Sequence, residues 1–385
     1  MFRHCLFAAL MSTSVGVYAA PPASASSPAA QPALAAAQPA ASRQSAARPA
    51  NAASTAPRAA APQAGAVATP VSVQAGAAPA AAADTPVVIP AAITASARAL
   101  IRLEVLLDRA HFSPGVIDGK GGGNLKLAES AYRAANNLDD TADVTALTDK
   151  LVAGDAEPTV RHYTITDADV AGPFVAKLPT DMAELAKLDS PAYSGPVEEL
   201  AERFHMDDAL LQALNPGVDF AKAGTVVTVA NVTASAKLAA IVTKIEVDKS
   251  KDAVRAFGKD GKLLAVYPAT VGSIERPAPS GTYKVRTAAI EQATYTFDPK
   301  RLTFGKPGLG KLTIKAGPNN PVGTTWIALT KPTYGIHGSP DPRLIGKRAS
   351  HGCVRLTNWD AEELAKSVKA GTLVVFTGTE TRAKT

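Results

Sequence analysis

At 385 residues the chain has room for two or three domains. Beyond its first twenty positions it holds no apolar run of the roughly 20 residues a membrane helix needs, so no membrane span is expected. The net charge of +6 hides an uneven split: residues 237–385 carry 24 Lys and Arg against 12 Asp and Glu, residues 1–236 carry 16 against 22, and the basic half suggests an anionic partner.

The first nineteen residues read as a secretory signal. Arg3 and His4 precede an apolar run over 6–11, and Val17-Tyr18-Ala19 supplies a small-residue cleavage pattern. Export makes nucleic acid a poor partner. Cys5 leaves with the signal, so Cys353 is the lone thiol of the mature chain. A lone cysteine in an oxidising compartment makes no internal disulfide; it is either a reactive thiol or a buried bystander. Residues 20–90 are dominated by Ala and Pro and bury too little apolar surface to offset their ordering entropy, which predicts a disordered tether.

Order is expected to resume near Ile93. Leu100, Leu103, Leu107 and Ala110 recur at helical spacing, then Ser113-Pro114-Gly115-Val116-Ile117-Asp118-Gly119 turns the chain. Asn124 is the expected cap of a second helix with Ala128, Ala131, Tyr132 and Ala135 on one face. This helix–loop–helix pattern over 93–140 resembles the small peptidoglycan-binding domain of wall enzymes. Across 160–232 the reading is a strand at Tyr163-Thr164-Ile165, helices over 197–204 and 208–214, an Asn215-Pro216-Gly217 turn and a strand over 225–229. That order resembles the LysM glycan-binding module, with 167–195 as an insertion. His111, His162 and His205 are expected to be incidental surface or packing residues.

From Thr243 the texture changes to short alternating runs, over 244–247, 253–257, 263–267, 281–285, 311–314, 326–329 and 373–376. Turn-rich stretches at 277–281 and 317–323 punctuate them, which predicts a mostly β sandwich or barrel. One helix is expected over 360–368, with Thr357 and Asp360 spaced as a capping box and Gly371 beyond its end. The fold class is therefore multidomain: a tether, small α-helical and α+β modules, and a mostly β domain over 240–378.

Chemistry concentrates in Ile336-His337-Gly338 and Ser350-His351-Gly352-Cys353-Val354-Arg355-Leu356-Thr357-Asn358. A nucleophilic thiol needs a base and a stabilised thiolate, and an imidazole supplies both. His337 lies sixteen positions before Cys353, across a loop containing Pro340 and Pro342, and can return to face it. Gly352 allows a substrate carbonyl close to the backbone and leaves the Gly352 and Cys353 N–H groups for an oxyanion. Arg355 is suited to hold a carboxylate bidentately. A zinc site on His337, His351 and Cys353 is the competing reading; no second Cys or acidic ligand pair accompanies them, and no metal is expected. The Ser-His-Gly-Cys context and short His–Cys spacing argue against a sortase-like enzyme.

These residues resemble the signature of the L,D-transpeptidase catalytic-domain family, His-Gly followed by Ser-His-Gly-Cys-hydrophobic-Arg and a nearby Asn. The match over 240–378 includes Pro279-Ser280-Gly281 and Gly317-Pro318-Asn319-Asn320-Pro321. The resemblance implies a β-sandwich enzyme without a cofactor, acting on peptidoglycan stem peptides in the periplasm. It makes Cys353 the nucleophile and His337 the base. Some members place a Ser after that histidine; here Gly338 stands there, and its carbonyl is the candidate third partner. Gly352, Cys353 and Tyr334 would serve the oxyanion, Ser350 and His351 would shape the loop, and Arg355 and Asn358 would bind the donor stem or brace the loop. The acceptor stays open: a stem amine giving a 3–3 cross-link, water giving a carboxypeptidase, or a protein attached to or released from the wall. The oligomeric state is open too. The reading from another class is a non-catalytic wall-binding protein, against which the intact Cys353–His337 set argues.

Overall fold

A computed structural model describes residues 87–139, 143–233, 237–274, 276–299, 310–347 and 352–381. The expected signal, nearly all of the Ala/Pro-rich stretch, Ser350 and His351 lie outside the described residues. None of the described helices is long and apolar enough to cross a membrane.

Three helices open the described chain: α1 (Ala95–Arg109), α2 (Gly123–Ala135) and α3 (Val144–Gly154). Thr94 caps α1, its hydroxyl accepting the Ala97 N–H at 3.2 Å. Helix α1 is apolar on two sides. Ile101 and Val105 pack with Leu200, Phe204 and Val227, whereas Leu103 and Leu107 pack with Leu125, Tyr132 and Leu147. The two segments that read as separate modules therefore share one helix. Helix α2 starts at Gly123 with Gly122 as its N-cap residue, so Asn124 is not the cap. Its side chain instead donates Nδ2–H to the Ile345 carbonyl at 3.0 Å, a contact with the C-terminal domain. Ala135, expected on the buried face of α2, is exposed.

Next come β1 (Val160–Thr164), α4 (Asp167–Ala171), α5 (Met182–Leu185), α6 (Pro196–Arg203), α7 (Asp208–Leu214) and β2 (Val226–Ala230). Strands β1 and β2 pair antiparallel. Buried Asn215 fixes the turn after α7: Thr228 N–H donates to its Oδ1 at 2.6 Å, and its Nδ2 donates to the Leu211 and Thr228 carbonyls at 2.8 Å. Helices α4 and α5 occupy the stretch that the sequence reads as an insertion.

The C-terminal domain is a nine-stranded mixed sheet. Its strands are β3 (Lys244–Asp248), β4 (Ala253–Phe257), β5 (Leu263–Pro268), β6 (Thr270–Val271), β7 (Gly281–Ile290), β10 (Thr325–Leu329), β11 (Gly335–His337), β12 (Val354–Arg355) and β13 (Leu373–Thr377). They lie in the order β5-β4-β3-β13-β7-β10-β11-β12-β6. A separate hairpin joins β8 (Tyr295–Phe297) to β9 (Leu312–Ile314). Ten-residue β7 pairs with β13 through its first half and with β10 through its second, so it belongs to both wings. Ile245, Val254 and Val374 from one wing meet Ile327, Ile336 and Val354 from the other in a single core. Burying each such side chain contributes about 1.5–3 kcal/mol. Helix α8 (Asn358–Ser367) adds Ala361 and Leu364 to that core and begins two residues earlier than expected. Thr357 Oγ1 accepts the Asp360 N–H at 3.1 Å.

All described residues fall in one compact unit, Gln74–Thr385. The loop after α1 extends the sheet: Ser113 N–H donates to the Val266 carbonyl and Val266 N–H to the His111 carbonyl, both at 2.9 Å. His111 Nδ1 lies 2.9 Å from Glu363 Oε2 on α8. His205, buried, pairs with Asp108 at 3.0 Å and stacks on Trp359 with 5.0 Å between ring centroids. His111 and His205 are thus packing residues that fasten the N-terminal half to α8.

Candidate active site

Strands β11 and β12 are short and run parallel, with Ile336 opposite Val354 and His337 opposite Arg355. Ile336 and Val354 point into the core. By strand alternation, Gly335 and His337 on β11 and Arg355 on β12 share the opposite face, and Cys353 directly precedes β12. Cys353 carries no disulfide.

His337 is buried and its ring is held on two sides. Trp326 of β10 stacks against it, centroids 5.4 Å apart and planes 21° from parallel. Its Nδ1 lies 2.7 Å from the Gly338 carbonyl oxygen. A carbonyl only accepts, so Nδ1 carries the proton and Nε2 keeps a lone pair. Burial, reinforced by the Arg355 charge, lowers the His337 pKa to about 3. The ring is neutral at pH 7 and able to take a proton.

Burial also pushes the Cys353 thiol above its usual range, against the Gly335 N–H and the Arg355 charge. The resting pair is therefore a neutral thiol and a neutral imidazole. Arg355 is pushed down by burial and pulled back by Cys353, Tyr295 and Asp341. Tyr295, from the β8–β9 hairpin, is pushed up by burial and by its nearness to Cys353.

Gly352 sits at φ +111°, a conformation that favours glycine, and a Cβ there would lie 3.7 Å from the Tyr334 hydroxyl. Tyr334 thus borders the backbone immediately before the thiol. Asn358, first residue of α8, is fully engaged. Its Oδ1 accepts the Thr324 and Ser339 N–H groups at 3.1 Å each, and its Nδ2 donates to Glu202 Oε2 at 2.8 Å and the Pro318 carbonyl at 3.2 Å. It braces the loop after His337. A groove of about 970 Å³ runs between α5, with Met182 and Leu185, and the Pro340–Leu344 loop, and Arg355 contributes to its lining.

Three residues here escaped the sequence reading. Trp326 and Tyr295 carry no motif, and Glu202 belongs to a different half of the chain. The only sequence signal for Trp326 is its place in an alternating run facing a glycine: a Cβ at Gly335 would come within 2.6 Å of the indole.

Residues 243–376 match the model of the YkuD family, the L,D-transpeptidase catalytic domain. The chain is 31% identical over 134 residues to the putative L,D-transpeptidase YkuD of Bacillus licheniformis, covering 35% of this chain and 65% of that protein. It is 29% identical over 197 residues to the probable L,D-transpeptidase YbiS of Escherichia coli strain K12, covering 49% and 62%. The matches thus span somewhat under two thirds of these relatives' own lengths. Among solved structures, the catalytic domain of an E. faecium L,D-transpeptidase aligns at 26% identity and TM-score 0.27, covering 35% of this chain and 96% of that one.

Proposed function

We propose that this chain is an exported peptidoglycan L,D-transpeptidase that forms an acyl-enzyme on Cys353 with His337 as its base. The observation that supports this reading is the parallel pairing of β11 with β12, the strand that begins directly after Cys353, with the His337 proton held on Nδ1. The Cys353 thiol gives its proton to His337 Nε2 as sulfur attacks the carbonyl of the third residue of a donor stem tetrapeptide. The oxyanion is met by the Gly352 and Cys353 N–H groups, with Tyr334 beside them. The carbon–nitrogen bond to the terminal D-Ala breaks, the imidazolium protonates the leaving amine, and a thioester remains. A stem amine then attacks the thioester, sulfur leaves and regains its proton, and a 3–3 cross-link results. Arg355 binds a donor carboxylate, and Ser350 and His351 shape the loop before the thiol. The helical and α+β segments before the catalytic domain, joined through α1, bind the wall, and the periplasm is the site of action.

Intact mass decides the first step. Wild type incubated with tetrapeptide muropeptide, or with a carbapenem whose β-lactam a thiolate opens and retains, gains one adduct on Cys353, and Cys353→Ala gains none. Well-folded wild type with neither adduct nor D-Ala release overturns the reading in favour of a wall-binding protein. Adduct and D-Ala release with no cross-linked dimer point to water or a protein as acceptor.

A further inference from the structure

We propose that Glu202 is a positioning residue for His337, acting through Asn358 and the peptide group between Gly338 and Ser339. The inference rests on the preceding reading only in taking His337 as the base. The Gly338 carbonyl and the Ser339 N–H are two ends of one peptide unit. His337 Nδ1–H donates to the first end at 2.7 Å, and the second donates to Asn358 Oδ1 at 3.1 Å. Asn358 Nδ2 in turn donates to Glu202 Oε2 at 2.8 Å, across 156 residues of sequence. The chain of hydrogen bonds therefore runs Glu202, Asn358, peptide, imidazole, and each link polarises the next.

The direction of the chain is fixed by what the amide faces. Flipping Asn358 would set its NH2 against the Thr324 and Ser339 N–H groups. Among the described residues, Glu202 is the one side chain that rewards the correct orientation, because the other acceptor, Pro318, is backbone. Glu202 is 7% exposed, and its Oε1 meets no hydrogen-bonding group among the described residues. Among the described residues it meets one donor and no cation; burial raises its pKa to about 8, the Asn358 bond opposes this, and Glu198 and Asp208 add to it, which favours the neutral acid at pH 7. The other titratable groups around the cavity beside it are Tyr193, Glu199, Arg203, His205, Glu291 and Glu362. Arg203 is spent on Asp169 and Glu199. A neutral acid accepts the Asn358 N–H as a glutamine would, so Glu202→Gln should preserve the chain at pH 7 and Glu202→Ala should cut it.

The test follows the His337 ring by ¹⁵N NMR and the rate of carbapenem acylation by intact mass, in wild type, E202Q and E202A, from pH 6 to 9. At pH 7 wild type and E202Q hold a single Nδ1–H tautomer and acylate within about twofold of each other. E202A shows mixed tautomers and acylates roughly ten- to a hundredfold slower, the scale expected when a catalytic group is misplaced. As pH rises, wild type changes its His337 signal with a midpoint near 8, where Glu202 ionises, and E202Q does not. An E202A protein with the wild-type tautomer, or an E202Q protein as impaired as E202A, overturns the proposal. Should E202A fail to fold, an identical pH response of wild type and E202Q overturns it alone. Failure of all three proteins to acylate overturns the acyl-enzyme reading, while the NMR arm still decides the role of Glu202.

Discussion

Gly338 and Asn358 meet in a contact that admits no side chain: a Cβ at Gly338 would lie 2.3 Å from Asn358 Oδ1. That contact accounts for glycine at this position. The carbonyl of the same residue accepts from His337 Nδ1.

Gly338→Ser is therefore expected to damage the site rather than add a partner to it. Overpacking of this kind costs about 1–3 kcal/mol. Thermal unfolding should show a lowered Tm, and carbapenem acylation should slow by roughly tenfold or more as the loop shifts. Combining it with Asn358→Gly should recover part of the stability loss, because the two changes act on one contact. Strictly additive losses in that cycle would show that the clash lies elsewhere.

The acid limb of the pH–rate profile should lie unusually low. His337 is held at about 3, so its basic form exists above that pH and disappears only below it. Acylation rates measured from pH 4 to 7 should show no inflection near 6.5, the ordinary histidine value. Arg355→Gln removes a charge that lowers His337, and should move the limb upward. An inflection near 6.5 in wild type would mean that the ring is solvated or paired with a thiolate.

Residues 240–378 should not behave as an independent domain. The edge strand β5 is covered by the loop after α1, through the paired backbone bonds of His111 and Ser113 to Val266. Val266 itself packs in the cluster formed by α1, α2 and α3. Removing everything before residue 240 uncovers that edge, and uncovered edges invite pairing with other chains. Size-exclusion chromatography of the truncated protein should show aggregation or a dimer, alongside a Tm below that of residues 87–385. A monomer of equal stability would show that the edge needs no cover.

Much of this molecule was legible locally. Cys353 is the lone thiol beyond the expected signal, and the glycine and histidine pattern around it is a short-range property. Helix α7 and strand β4 fall where period and turn residues put them, since each is long enough to display its own pattern. Strands β11 and β12, with three and two residues, are too short for any alternation to show, and their pairing exists only through neighbours on both sides. The same holds for Trp326 and Tyr295, which reach His337 and Cys353 from other strands, and for α1, whose two apolar sides gave no sign that it joins two cores. The sequence by itself determined which atoms can do the chemistry. Tertiary structure decided their protonation, because burial and the Arg355 charge set the pKa of His337. It also decided what holds them, because hydrogen bonds such as Glu202 to Asn358 join residues whose separation along the chain erases any local signal.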